Sequence, residues 1–249
     1  MNPSTVLITG ALTGIGRATA FAFAAEGYNV VVSGRRAEAG AQLARELRDQ
    51  GVAAEFLQAD VSDETQVAAL VADTIKRFGH IDVAVNNAGV EGELGPITGQ
   101  TTANYRATFD TNVLGTLLSL KYELAAMQAQ GSGAIINLSS IVGQVGMAGA
   151  SVYAASKHAV EGLTKTAALE VAAAGIRVNA VAPGPVDTAM LDRFTGGNAD
   201  AKAGLYAMMP AKRGAQPEEI AQTIVFLASD KARYLTGQSI AIDGAYTAQ

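Results

Sequence analysis

The 249-residue chain contains no cysteine, which excludes a disulfide framework, a thiol nucleophile and a thiolate metal site. Its histidines number only two. His80 stands in a turn before a strand and His158 follows Lys157 on a helix, so neither a metal cluster nor a catalytic triad is expected of them. An excess of basic residues is also missing. The net charge is −5 at pH 7, whereas a nucleic-acid surface would need a basic stripe. No apolar run approaches the roughly 18 residues of a membrane span. The stretch Met1-Asn2-Pro3-Ser4-Thr5 leads straight into a strand, without a charged region and an apolar signal core. A soluble, cytoplasmic protein with no membrane partner is the expectation. With 49% hydrophobic and 16% charged residues and no low-complexity tract, the composition is globular. The length suits a single α/β domain over residues 1–249.

What is present begins with Val6-Leu7-Ile8-Thr9, a short apolar strand, followed by Gly10-Ala11-Leu12-Thr13-Gly14-Ile15-Gly16 and a helix from Arg17 to about Glu26. A strand, a Gly-rich turn and a helix N-terminus together make an anion cradle, in which free N–H groups and the helix dipole face a phosphate. At the first strand-to-helix turn, this spacing points to dinucleotide binding.

Strands and helices then alternate. Strands are expected at 29–33, 53–58, 81–85, 134–138, 177–181 and 239–242, and helices at 37–50, 63–78, 102–129, from Ser151 onward, and 217–228. Strands apolar on both faces, separated by helices, mean a parallel sheet covered on both sides. With right-handed crossovers this is a Rossmann-type doubly wound sheet of about seven strands, with ligand at their carboxyl ends. Residues 187–213, with Gly196-Gly197-Asn198 and Pro210, show little periodicity. A long irregular connection at that edge is expected to be a substrate lid.

Ser151-Val152-Tyr153-Ala154-Ala155-Ser156-Lys157 opens a long Ala-rich helix. Tyr153 and Lys157 are four positions apart and share a face. A phenol serves as an acid or base near neutral pH only if its pKa falls from about 10, and a lysine one turn away is expected to lower it. Ser140 ends the strand before this helix and is expected beside the phenol. Taken alone, the pair would also suit an ordinary surface helix.

Thr9–Gly16, Asp60-Val61, Asn86-Asn87-Ala88-Gly89, Asn112, Ser140, Tyr153–Lys157 and Pro183-Gly184, in this order, resemble the short-chain dehydrogenase/reductase family over essentially the whole chain. The resemblance implies that Tyr153 exchanges the proton at the substrate oxygen and Ser140 holds that oxygen. It implies that Lys157 depresses the tyrosine and binds the nicotinamide ribose, while Asn112 positions a water linking Lys157 to solvent. For Asn112 the residue alone allows a second reading, a polar group kinking or capping a helix.

On the cofactor side the resemblance assigns the phosphate loop to Gly10, Leu12, Thr13, Gly14, Ile15 and Gly16. It assigns the adenine to Asp60 and Val61, and the ribose and nicotinamide to Asn87, Ala88 and Gly89. Pro183, Gly184, Val186 and Thr188 follow at the carboxamide, and Asn86 is structural. The second strand ends Ser33-Gly34-Arg35-Arg36. A carboxylate near here would select NAD(H), whereas arginine accommodates the 2′-phosphate. With Arg35 or Arg36 as the clamp and Arg17 as a possible aid, NADP(H) is the expected cofactor and NAD(H) the alternative.

Val142, Gln144, Val145, Met147, Ala148, Leu191, Tyr206 and Met209 are expected near the substrate, and their mostly apolar character suits a ketone or secondary alcohol better than a charged acid. The ending Tyr246-Thr247-Ala248-Gln249 resembles the tail of bacterial secondary-alcohol dehydrogenases that tend to be tetrameric and can hold Mg²⁺ at the C-terminal carboxylate, here that of Gln249. A tail without metal is the other reading. The Ala-rich face of the Tyr-Lys helix is expected to be a subunit interface of a homotetramer. The leading expectation is an NADP(H)-dependent enzyme interconverting ketones and secondary alcohols. A 3-oxoacyl-thioester reductase and a non-catalytic dinucleotide sensor are the rivals.

Overall fold

The computed structural model describes residues 3–248. Seven strands form one all-parallel sheet in the order β3-β2-β1-β4-β5-β6-β7: β1 Thr5–Thr9, β2 Asn29–Gly34, β3 Ala54–Gln58, β4 Val83–Asn86, β5 Gly133–Leu138, β6 Ile176–Pro183 and β7 Ser239–Ile242. Helices cover both faces: α1 Gly14–Ala25, α2 Ala37–Arg48, α3 Glu64–Phe78, α4 Thr102–Phe109, α5 Gly115–Gln130, α6 Ser151–Val171, α7 Ala189–Phe194, α8 Ala199–Met208 and α9 Pro217–Ala228.

Alternation along the strands builds two cores from one sheet. Val6, Ile8, Val30, Val32, Val85 and Ile136 face Phe23 of α1, Leu43 and Leu47 of α2, and Ile220 and Ile224 of α9. Leu7, Val31, Ala84 and Ile135 face Leu70 of α3, Leu120 and Met127 of α5, and Val171 of α6. Each large side chain that is fully buried here contributes roughly 1.5–3 kcal/mol, so both layers hold the sheet rigid beneath its carboxyl edge. The strand order reverses between β1 and β4, which pair with Thr9 beside Asn86. A crevice opens outside the carboxyl ends at that point.

Two expectations are corrected. The single helix expected from Thr102 to Ala129 is broken at Asp110–Leu114 into a π-helical turn, a distortion that often marks functional positions. The segment 187–213 is not irregular: it carries α7, capped by Thr188 accepting from the Leu191 N–H, and α8, capped by Asn198 accepting from the N–H groups of Asp200 and Ala201. The glycine pair at 196–197, both with positive φ, joins them.

Candidate active site

The loop from β1 to α1 is shaped by what its glycines omit. A Cβ on Gly10, whose φ is +63°, would lie 2.6 Å from the Ala88 Cα, and one on Gly16 would run into the Asn87 side chain and the Gly10 carbonyl. Asn87 fastens this packing by donating from Nδ2 to the carbonyls of Gly10 (2.8 Å) and Thr9 (3.2 Å). No side chain caps the first turn of α1, so its N–H groups remain available to an anion. These features fit a dinucleotide's phosphates.

The cleft continues past Leu12, Thr13, Ile15, Gly34, Arg35, Arg36, Asp60, Val61, Ala88, Gly89 and Thr188, bringing most of the cofactor residues expected from the sequence onto one wall. A Cβ at Gly34 would come 2.8 Å from Leu12 Cδ1, so a carboxylate there would have to push Leu12 aside. Arg35 is exposed, and its Nη1 lies 3.7 Å from the Asp60 carboxylate. So loose a surface pair is worth little, and the guanidinium is free to turn toward a phosphate. Arg36 lines the same wall at the start of α2. Arg17 does not. It pairs with Glu46 at 2.6 Å and stacks over Phe21, because its position on α1 points it toward α2.

Across the crevice, Ser139, Ser140, Ile141, Val142, Met147, Tyr153 and Lys157 face Pro183–Val186, Met190, Leu191, Phe194, Leu205 and Met209 around a mostly apolar cavity. Tyr153 and Lys157 sit one turn apart on α6, with the Lys157 Nζ 5.7 Å from the phenol ring centroid. Lys157 is 5% exposed, and its Nζ donates to the Leu138 carbonyl at 2.7 Å. Burial lowers its pKa to about 8, against the opposing charge of Glu161.

The expectation that Lys157 lowers the phenol is not met by the protein's own groups. Burial pushes Tyr153 up to about 12, a hydrogen bond with Ser140 pulls the other way, and the charge of Glu91 adds to the rise. The ammonium is directed at a backbone carbonyl, and desolvation dominates.

Asn112 sits in the π-turn, 1% exposed. Its Oδ1 accepts from the Val90 N–H (2.8 Å), and its Nδ2 donates to the Val90 carbonyl (2.9 Å) and the Ser156 hydroxyl (2.9 Å). It therefore clamps the loop after β4 to α6. Gly89 lies between the two polar ends, since a Cβ there would be 3.3 Å from Asn112 Oδ1 and 3.5 Å from Lys157 Nζ. Beneath the site Asn86 donates to both Glu123 (2.9 Å) and Asn137 (3.0 Å), and Asn137 donates to Thr164 (2.9 Å). Asn86 thus ties β4 to β5, as its structural reading holds. Burial raises the Glu123 carboxyl to about 7, against its bond from Asn86.

Of the expected substrate residues, Val142, Met147, Leu191 and Met209 line the cavity, whereas Gln144, Val145, Ala148 and Tyr206 do not. Gln144 is drawn outward to the Ser239 hydroxyl (2.9 Å). Val145 and Ala148 lie in the loop beyond the short 3₁₀ turn Ile141–Gly143, from which only Met147 reaches the cavity. Tyr206 donates its hydroxyl to Asp187 at 2.6 Å and so braces the base of the 187–213 segment. Val90, Met190, Phe194, Leu205 and Ser156 were not singled out from the sequence. Only the apolar character of the first four and the place of Ser156 beside Lys157 could have pointed to them. The Mg²⁺ expectation at Gln249 falls outside the described residues. Among those described, no group of three or more His, Cys, Asp or Glu is placed to hold a metal ion, and no helix is long and apolar enough to cross a membrane.

Comparison with known proteins agrees with this geometry. A family model described as enoyl-(acyl carrier protein) reductase matches residues 10–247. Cis-4-hydroxycyclohexanecarboxylate dehydrogenase of Sinomonas cyclohexanicum is 46% identical, covering 97% of this chain and 96% of its own. Cyclohexanol dehydrogenase of Acinetobacter sp. (strain SE19) is 39% identical over 100% and 96%, and a 3-oxoacyl-(acyl-carrier-protein) reductase of Staphylococcus aureus 42% over 96% of both chains. Among solved structures, levodione reductase superposes with a TM-score of 0.97 at 37% identity, covering 100% of this chain and 99% of its own. ElxO with NADP bound superposes at 0.92 and 36%, covering 99% and 100%. Matched along essentially its full length by this family model and by named dehydrogenases, the chain is an oxidoreductase that belongs to the short-chain dehydrogenase/reductase family.

Proposed function

We propose that the protein interconverts uncharged cyclic ketones and secondary alcohols with NADP(H), using Tyr153 as general acid and base. The observation that carries this reading is the cavity itself: Ser140, Tyr153 and Lys157 meet a mostly apolar wall on which, among the described residues, Lys157 is the one charged residue. The Sinomonas relative's named substrate bears a carboxylate, but among the described residues this cavity presents no second cation to receive one, and an unpaired charge there would be costly to desolvate. An uncharged ring such as that of cyclohexanol, named for the Acinetobacter relative, matches the lining better.

Bound nicotinamide supplies or accepts the hydride. In reduction Tyr153 gives its proton to the carbonyl oxygen, which the Ser140 hydroxyl orients; in oxidation the phenolate takes the hydroxyl proton back. With the phenol held at about 12 by the protein alone, Tyr153 is a stored acid near neutral pH, and positive charge close to it favours the phenolate. Lys157 is the protein's source of that charge and the candidate partner of the nicotinamide ribose, and Asn112 the candidate holder of a water linking it to solvent. Gly10, Leu12, Thr13, Gly14, Ile15 and Gly16 would hold the phosphates, Asp60 and Val61 the adenine, Asn87, Ala88 and Gly89 the ribose and nicotinamide, and Pro183, Gly184, Val186 and Thr188 the carboxamide. Arg35, with Arg36 beside it, would clamp the 2′-phosphate, a reading supported by the NADP bound in ElxO. Residues 187–213 act as the substrate lid of a single domain. The exposed Leu169 on the outer face of α6 supports a subunit interface, here that of a cytoplasmic homotetramer.

The test is cofactor turnover with cyclohexanone, 4-oxocyclohexanecarboxylate and an acetoacetyl thioester, each with NADPH and NADH. Preference for the uncharged ring and NADPH is expected. Preference for the thioester would favour a 3-oxoacyl reductase, a second reading supported by the Staphylococcus relative, and binding of cofactor with no turnover of any substrate would contradict both.

A further inference from the structure

We propose that the turn after β7 is the outer support of the substrate wall: Tyr246 sets how large a ketone the cavity admits, and Asp243 is the residue that positions Tyr246. The proposal rests on the cavity and the ketone chemistry given above.

Beyond Ile242 the chain reverses through Asp243, Gly244 and Ala245 into a 3₁₀ turn, Tyr246–Ala248. Asp243 organises the reversal. Its Oδ1 accepts from the Ala245 N–H (3.0 Å), and its Oδ2 accepts from the Thr247 N–H (2.8 Å) and hydroxyl (2.6 Å). Gly244 and Ala245 both have positive φ, +60° and +72°. For alanine that backbone is uncommon, and it persists only where the surroundings over-determine it. Two of the holding contacts come from the edges of the cavity. The Gly184 N–H donates to the Ile242 carbonyl at 3.0 Å, and a Cβ on Gly184 would lie 3.1 Å from Asp243 Cα. The Ala211 N–H donates to the Gly244 carbonyl at 3.2 Å, two residues beyond the cavity-lining Met209.

So held, the half-buried Tyr246 packs against Ile141, Val142 and Ala154, the same cluster on which Met147 and Tyr153 rest. Ile141, Val142, Met147 and Tyr153 line the cavity, and Tyr246 stands one layer behind them. Strand β7 grips the same loop a second time. Gln144 donates to the Ser239 hydroxyl (2.9 Å), which donates to Glu161 of α6 (2.7 Å). The wall from Ile141 to Met147 is a 3₁₀ turn and a loop, with little regular structure of its own to fix it. In a close-packed interior the position of such a wall is set by what stands behind it. Loss of the Tyr246 ring would leave space into which Val142 and Met147 can recede. A small ring would then lose contacts, and a larger one would gain room.

The test compares cyclohexanone with the bulkier 4-tert-butylcyclohexanone, using the full-length protein and NADPH. Tyr246→Ala is expected to raise KM for cyclohexanone roughly fivefold at near-parent kcat, and to shift the kcat/KM ratio toward the bulkier ketone by a similar factor. NADPH affinity, read by fluorescence titration, should match the parent, and Tyr246→Phe, which keeps the ring, should behave as the parent in every assay. Asp243→Ala should move the ratio the same way and add little when combined with Tyr246→Ala, because both act through one ring. Equal losses on the two ketones, a loss confined to kcat, or an unmoved ratio would overturn the proposal, and additive effects would remove Asp243 from it. Hydrogen exchange read by mass spectrometry should quicken severalfold at 141–147 in Tyr246→Ala and stay at the parent rate at 10–16; unchanged exchange at 141–147 would also overturn the support. If the parent protein reduced neither ketone, the proposed function would fail, while the exchange measurement would still decide whether Tyr246 holds the wall.

Discussion

Gly10, Gly14 and Gly16 shape one side of the crevice by lacking side chains, whereas Met147, Leu191, Phe194 and Met209 shape the other by filling space. The dinucleotide side is made of backbone, and a backbone path at a strand-to-helix turn tolerates few residue types. The substrate side is made of interchangeable apolar side chains on a short 3₁₀ turn and two short helices, and many sequences would serve. One side can therefore be read as chemistry, and the other only as character.

That contrast can be broken most severely at Gly16. Gly16→Val drives side-chain atoms into Asn87 and the Gly10 carbonyl, and is expected to weaken NADPH binding by roughly a hundredfold, about 3 kcal/mol. Fluorescence titration checks this, with circular dichroism confirming the fold. A smaller effect is expected at Arg35. With Arg35 as the proposed clamp of the 2′-phosphate, Arg35→Ala would remove a charge-assisted bond worth about 1.5–3 kcal/mol, so the ratio of kcat/KM for NADPH over NADH should fall roughly tenfold or more. On the substrate side, Phe194→Ala should raise KM for cyclohexanone severalfold, about 1 kcal/mol, and leave NADPH affinity near the parent value. A matching loss on both ligands would erase the distinction between the two sides.

The smallest effect concerns the polar network beneath both. Glu123, held up at about 7 from 4.5, binds its proton more tightly folded than unfolded. Stability from this group is therefore present at low pH and declines as pH rises from about 4.5 to about 7, with no further change above. Glu123→Gln should flatten that decline, as measured by thermal unfolding across the interval.

The parallel strands and the helices over both faces were legible because buried parallel strands leave continuous apolar runs such as Val30–Val32 and Ile135-Ile136. The residues brought to the cleft by Gly10–Gly16, Asn87–Gly89 and Tyr153–Lys157 were legible because spacing along a turn or helix fixes direction in space. The π-turn around Asn112 was not, since its cause is tertiary: the amide is claimed by Val90 and Ser156 from other elements. The two helices of 187–213 were obscured by the glycine pair at 196–197, although Thr188 and Asn198, which cap them, stand in plain view. Gln144 and Tyr206 were misjudged because nearness in sequence says nothing of partners such as Ser239 and Asp187. The proton affinity of Tyr153 went the opposite way because burial, a property of the whole fold, dominates it, while the lysine one turn along is aimed at the Leu138 carbonyl.

The most direct test is Tyr153→Phe, assayed for cyclohexanone reduction at saturating NADPH alongside a fluorescence titration of NADPH. The account predicts near-parent cofactor affinity with kcat lowered by at least two to three orders of magnitude, the loss of a positioned general acid. A kcat close to that of the parent protein would contradict it.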